Sequence, residues 1–309
     1  MQVALIGYGE VGRILAEDLR AQGVAVSAFD RKLDAADAVA QPLREHAAHF
    51  GVTLAASHAG AVPAAGLVIS AVTASQAVPV AQACAGALQP GAFFLDFNSA
   101  SPGAKISAAG LVNASGGRYV EGAVMTTLPP YRIKVPLLLG GPDAVALEPL
   151  LLGLGFAPQI VSAQLGVASA TKMCRSILIK GLEALVIESF TTARHYGVED
   201  AVIASLVETY PGIDWERQGA YLFQRVIEHG RRRSEEVREV AVTVRDAGLE
   251  PFSASGTADR QAHIADLGDA GAFGQRGTPG FARSADWRVE SDRLLAHARA
   301  HLKSKDHEP

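Results

Sequence analysis

The sequence predicts an α/β fold in which a doubly wound, mostly parallel sheet fills an N-terminal domain and an all-helical domain completes the chain. Three observations lead there. Over residues 2–163, apolar strand-like runs alternate with Ala-rich helical stretches and Gly/Pro breaks. Beyond Gly166 such runs cease. The 309 residues also exceed what one core usually serves. A βα rhythm of this kind builds a parallel sheet with helices on both faces. The expected boundary lies near Ala163, giving domains over 1–163 and 164–309.

The strand-like runs are VALI (3–6), VAVSAF (24–29), LVISAV (67–72) and AFFLDF (92–97), followed by YVEGAV (119–124), VPLLLGG (135–141) and QIVS (159–162). One long helix is expected over 168–195, stopping before Gly197. Further helices are expected over 199–210, 215–230, 233–247 and about 285–303, with a Gly-rich loop over 267–281 and a frayed SKDHEP end. In TYPGIDW, Pro211 and Gly212 break the chain and Asp214 can cap the helix that follows.

Composition narrows the function classes. With 49% hydrophobic and 19% charged residues, the chain reads as a soluble globular protein. A net charge of -4 supplies no basic field for nucleic acid or anionic lipid, and no apolar run approaches a membrane span, so neither partner is expected. Two cysteines, Cys84 and Cys174, form no disulfide framework and fit a cytoplasmic setting. The histidines and cysteines have no metal-ligand spacing, so no metal is expected.

The most specific motif follows VALI directly. GYGEVG places Gly7, Gly9 and Gly12 in G-x-G-x-x-G spacing at a strand-to-helix turn, with Tyr8, Glu10 and Val11 completing it. Gly7 allows the tight turn, Gly9 clears space for a pyrophosphate, and Gly12 lets helix and strand pack closely. Free N–H groups at the helix start would meet the phosphates. The next strand ends at Asp30, 18 residues past Gly12, where a carboxylate can accept from an adenosine ribose. Together these predict a Rossmann domain binding NAD or NADP, with Val72 and Thr73 after the LVISAV strand in the same cofactor set. Asp30 disfavours a 2′-phosphate while Arg31 and Lys32 could bind one, so NAD is modestly favoured.

Three further segments, read with the fingerprint, resemble the β-hydroxyacid dehydrogenase family, which includes 3-hydroxyisobutyrate and 6-phosphogluconate dehydrogenases. DFNSASP follows the family's D-x-S-[ST]-x-x-P substrate loop, with Asn98 and Ser99 at the contact positions. YVEGAVMTT aligns with D-A-P-V-S-G-G, so Met125, Thr126 and Thr127 stand where the family's small residues line the substrate carboxylate site. GVASATKMCRS matches G-x-[GA]-x-x-x-K-x-x-N-N at Gly166 and Lys172, with Arg175 and Ser176 in place of both asparagines. The resemblance implies that Lys172 holds the catalytic lysine's position and that residues 175 to about 251 are similar to a phosphogluconate-dehydrogenase-type C-terminal domain.

The long helix supports this independently. Lys172, Ser176, Lys180 and Glu183 fall within an arc of roughly 80°. The rest of the helix is apolar on nearly all sides, which predicts burial, with the polar stripe facing a cavity, a partner or paired charges. An i,i+3 pair between Lys180 and Glu183 is one way to satisfy it. The expected reaction is hydride transfer on a hydroxyl-bearing, anionic substrate. Lys172 would take the hydroxyl proton and Ser176 would support it. Asn98 and Ser99 would orient the substrate, and Arg175 and Lys180 would meet its anion. In HGRRRSEEVREV most residues should form a solvated face, with His229 or Arg232 the two that could reach a site. A homodimer sharing a helical core is expected. The alternatives are an imine reductase, or a dinucleotide-binding scaffold without chemistry.

Overall fold

The computed structural model describes residues 1–281 and 284–305, with side chains through residue 300. Of the expected frayed end, residues 306–309 lie outside them, while 304 and 305 close the last helix.

The elements run β1 (Gln2–Ile6), α1 (Glu10–Ala21), β2 (Ala25–Phe29), α2 (Asp37–Phe50), β3 (Thr53–Leu54), α3 (His58–Ala61), β4 (Leu67–Ser70), α4 (Ala77–Ala85), β5 (Phe93–Asp96) and α5 (Pro102–Ala114). They continue with β6 (Arg118–Val124), α6 (Leu128–Tyr131), β7 (Pro136–Gly140), α7 (Ala144–Gly153), β8 (Ala157–Ser162) and α8 (Val167–Tyr196). Helices α9 (Glu199–Thr209), α10 (Trp215–Asp246), α11 (Phe252–Asp269) and α12 (Trp287–Lys305) complete the chain.

Two compact units divide the chain: one comprises 1–174 with 242–248, the other 175–241 with 249–309. The division falls inside α8, eleven residues beyond Ala163, because a continuous helix carries the chain from one unit into the next.

The first unit holds one eight-stranded sheet in the order β3-β2-β1-β4-β5-β6-β7-β8. All pairings are parallel except β6 with β7, which the short intervening segment makes antiparallel. Alternate residues of the central strands serve two cores, as a period of two requires. Leu5, Ile69 and Leu95 pack with Leu15 and Leu19 of α1 and Leu147 and Leu151 of α7. Ile6, Val68 and Phe94 pack with Val80 of α4 and Val112 of α5. Both faces are therefore covered, and the strand C-termini point their loops to one edge. The two-residue β3 had no readable pattern in the sequence.

The second unit is helical, centred on Phe190, Trp215, Phe223, Val226, Ile264, Phe273 and Trp287. Two expectations are corrected here. The expected helices over 215–230 and 233–247 are one 32-residue helix, α10. Gly230 marks close packing rather than a break, since a Cβ there would lie 2.7 Å from the Gln261 carbonyl oxygen. The arginine run is also not wholly solvated: Arg231 pairs with Asp266 and Asp269 at the surface, but Arg233 is buried against Glu183. Glu183, 1% exposed, also accepts from Arg233 Nε at 3.0 Å and Gln261 Nε2 at 3.0 Å.

Helix α8 is not apolar-and-buried all round in the single chain. Leu178 and Leu185 are 76% and 67% exposed and Ile179 is 43% exposed. Among the described residues, no helix is long and apolar enough to cross a membrane.

Candidate functional site

The glycine turn is built for close approach. Gly7, at φ 96°, donates to the Phe29 carbonyl at 2.9 Å, and a Cβ on it would meet Ala71 O at 2.3 Å. A Cβ on Gly12 would meet Gly7 O at 2.1 Å, so only glycine lets α1 start beneath the turn. At Gly9 a Cβ would find open space, which is where a pyrophosphate must come. Gly9 is the N-cap of α1 and supplies no side chain, so the first-turn N–H groups are not capped from the chain. Arg13 Nε on the same helix is buried with no hydrogen-bond partner among the described residues. This donor set fits a dinucleotide phosphate.

Around the turn, Tyr8 N donates to Asp30 Oδ2 at 2.8 Å and Lys32 N donates to Asp30 Oδ1 at 2.9 Å. The carboxylate is thereby fixed at the end of β2 with lone pairs to spare, while Glu10, Arg31 and Lys32 are exposed. The Tyr8 phenol is wholly buried and its pKa is pushed up to about 12, chiefly by that burial, so it stays protonated. It shares a 2.9 Å hydrogen bond with His46 Nδ1, and His46 Nε2 meets Glu17 at 3.0 Å. Val11 is half-buried on the first turn of α1. Val72 and Thr73 follow β4, with Val72 against Gly7 and Thr73 exposed.

The loop after β5 carries the other half of the site. Asn98 is 3% exposed, and its amide is already engaged: Oδ1 accepts from Val72 N at 2.7 Å and Nδ2 donates to Ser70 Oγ at 2.9 Å. Asn98 therefore braces this loop to the one after β4. Ser99, one residue on, keeps its hydroxyl at the half-exposed side, where Lys172 Nζ donates to Ser99 Oγ at 2.6 Å. Two residues 73 apart, singled out separately in the sequence, meet in space. Met125 is half-buried, its N–H donating to Pro136 O at 3.0 Å, and Thr126 is exposed beside it.

Three buried groups support this loop and helix without having been singled out as site residues. Lys105 Nζ contacts Asp96 Oδ1 at 2.9 Å, Asp96 O at 2.8 Å and Gly122 O at 3.4 Å, matching its three donors to three acceptors. The Tyr119 hydroxyl donates to Asp96 Oδ2 at 2.7 Å, and burial holds this phenol's pKa well above its usual value. Glu121, wholly buried, accepts from Gly166 N at 2.9 Å, Ala168 N at 2.7 Å and Ser169 Oγ at 3.2 Å.

Arg175, Ser176 and Lys180 belong to the second unit. Arg175 is exposed and Ser176 is 7% exposed. Lys180 is 6% exposed and bound to Glu236 Oε2 at 2.6 Å, with burial the main force lowering its pKa. The expected Lys180–Glu183 pair is not formed, because Arg233 and Gln261 take Glu183. The Lys180 charge is met by Glu236 inside the unit. His229 lies 3.8 Å from Glu228, and Arg232 pairs with Glu236 at 2.6 Å.

Comparison with known proteins agrees with this geometry. The family model described as the NAD binding domain of 6-phosphogluconate dehydrogenase matches residues 2–127, and a domain of unknown function, DUF1932, matches residues 193–264. The chain is 34% identical to a conserved hypothetical protein from Sinorhizobium meliloti 1021 over 96% of each chain, with a TM-score of 0.73. It is 28% identical to the conserved protein MTH1747, whose structure is described as similar to 3-hydroxyacid dehydrogenases, over 87% of this chain and 99% of that one, with a TM-score of 0.65. Mycobacterium tuberculosis 3-hydroxyisobutyrate dehydrogenase shares the fold at 16% identity, over 95% and 98% of the two chains, with a TM-score of 0.69.

Proposed function

Because the chain belongs to the family that joins the NAD-binding domain of 6-phosphogluconate dehydrogenase to the DUF1932 domain, we propose that it is an NAD(P)-dependent dehydrogenase acting on CH–OH groups. Its substrate would be a small anionic molecule resembling a β-hydroxyacid. The observation that carries this reading is the 2.6 Å contact between Lys172 Nζ and Ser99 Oγ. An amine held on a hydroxyl at the edge where the strand C-termini gather is placed to accept a proton from a substrate hydroxyl bound in the serine's company. A nicotinamide held at the glycine turn would supply the hydride chemistry at the hydroxyl carbon. Lys172 takes the hydroxyl proton and Ser99 orients the oxygen; in reduction Lys172 returns the proton. Ser176 lies one turn beyond Lys172 along α8, and Arg175 is exposed on the same helix. A basic lysine paired with a hydroxyl favours this reading over reduction of a C=N bond.

Asp30, held by Tyr8 N and Lys32 N, favours NAD, because a carboxylate beside the ribose repels a 2′-phosphate. The test is purified protein with hydroxyacids, sugar acids and their phosphates, each with NAD and with NADP, followed by nicotinamide absorbance. Turnover of at least one acid, faster with NAD, is the expected result. Nucleotide binding without turnover of any member would leave a dinucleotide-binding scaffold instead.

A homodimer belongs to the same reading. The exposed leucines of α8, Leu178 and Leu185, are the apolar surface a second copy would cover. Sedimentation equilibrium should return twice the chain mass, and Leu178→Glu with Leu185→Glu should return one; a wild-type monomer would remove the dimer.

A further inference from the structure

Asp96, the last residue of β5, and Glu121, midway along β6, are register partners, and both are wholly buried. Register-paired side chains on neighbouring strands point to the same face of the sheet, so two carboxylates share one small volume. Such a pair is tolerated only when its oxygens are met. Asp96 is met by Lys105, the Tyr119 hydroxyl and Asn98 N, and those bonds hold the turn that carries Ser99. Glu121 is met by backbone amides of Gly166 and Ala168 and by the Ser169 hydroxyl, at the start of the helix that carries Lys172. A helix N-terminus is favourable to a carboxylate through its unpaired N–H groups and dipole.

The socket is shaped for this glutamate. A Cβ at Gly140 would come within 2.4 Å of Glu121 Oε1, and Gly166, at φ 91°, turns its amide inward as only glycine does readily. Lys172 follows Val167 by five residues, little more than one helical turn. A small pivot of α8 at its anchored end therefore moves Lys172 Nζ off Ser99 Oγ.

We infer that Glu121 is a positioning residue for the proton transfer: by anchoring the first turn of α8 to β6, it holds Lys172 Nζ on Ser99 Oγ while Asp96 holds the turn carrying Ser99 from the other side. The inference rests on the reading of Lys172 as the base. Glu121→Gln keeps one carbonyl acceptor but turns an NH2 group toward a backbone N–H, so one anchor becomes donor against donor.

The experiment labels the full-length protein with trinitrobenzenesulfonate across a pH series and quantifies each lysine by peptide mass spectrometry. Lys105, 1% exposed, is the internal control for an intact first unit. In Glu121→Gln, labelling of Lys172 should quicken by about tenfold with its pH profile displaced, while Lys105 stays unlabelled. Ser169→Ala, which removes only the hydroxyl contact, should quicken it by about threefold. An unchanged rate and profile for Lys172 in an intact Glu121→Gln protein overturns the inference. If that variant opens the first unit and labels Lys105, Ser169→Ala decides, and an unchanged Lys172 there overturns it equally. The reading of Lys172 as base fails separately, through full turnover by a Lys172→Ala protein, whatever the labelling shows.

Discussion

Lys172→Ala is expected to lower turnover by about two to four orders of magnitude, the range a positioned acid or base contributes, while nucleotide affinity stays unchanged. The drop corresponds to about 3–5 kcal/mol of transition-state stabilisation. The side chain is half-buried and donates to Ser99 Oγ at 2.6 Å. If the lysine acts only when the hydroxyl proton moves, kcat and kcat/KM should fall together with KM nearly constant. Ser99→Ala, which removes the orienting hydroxyl but leaves the base, should cost less, on the order of tenfold. Stopped-flow turnover with whichever acid the substrate panel identifies, alongside nucleotide titration by fluorescence, makes the measurement. Undiminished turnover in the alanine protein would take proton transfer away from this side chain.

The parts of the fold and site legible in the sequence were those with a local signature. The glycine turn is read from three residues whose spacing is itself the geometry, and the structure shows Gly7 and Gly12 crowded and Gly9 open as the motif implies. The long strands declare themselves through continuous apolar runs. Ser99 and Lys172 were found by resemblance, and the structure brings them to one contact. What escaped had long-range causes. Glu121 finds its acceptors' partners 45 to 48 residues away, which leaves no trace near Glu121 itself. The brace at Asn98 left no local mark because the residues that hold its amide lie 26 and 28 positions upstream. Helix α11 was missed because its buried face is built from Ala254, Ala258 and Ala265, which give weak hydrophobic contrast. Gly230 misled because a glycine needed for helix contact looks the same as one that ends a helix. Lys105 was readable: it falls with Ala108, Ala109 and Val112 at i, i+3, i+4 and i+7, so the period places a lysine on the buried face of α5.

That lysine supports the largest stability prediction. Lys105→Met should destabilise the first unit by about 3–5 kcal/mol, the cost of removing one partner from a buried ion pair. Lys105 and Asp96 are 1% and 0% exposed, so water cannot replace the lost cation. The Tyr119 hydroxyl and Asn98 N would remain on the carboxylate, but neither carries a charge. Truncating both sides, in Lys105→Met with Asp96→Leu, should recover part of the loss, because the uncompensated charge goes with its partner. The two units permit a separate reading of where the damage lies. Both tryptophans, Trp215 and Trp287, sit in the second unit, so their fluorescence follows that unit through a urea titration. Hydrogen exchange over residues 93–97 follows the sheet. The expected result is a marked fall in the exchange protection of β5 with the tryptophan transition moved far less. A loss below about 1 kcal/mol, the range of an exposed pair, would show that the Lys105–Asp96 contact is not the closed, dry ion pair that anchors the serine-bearing turn.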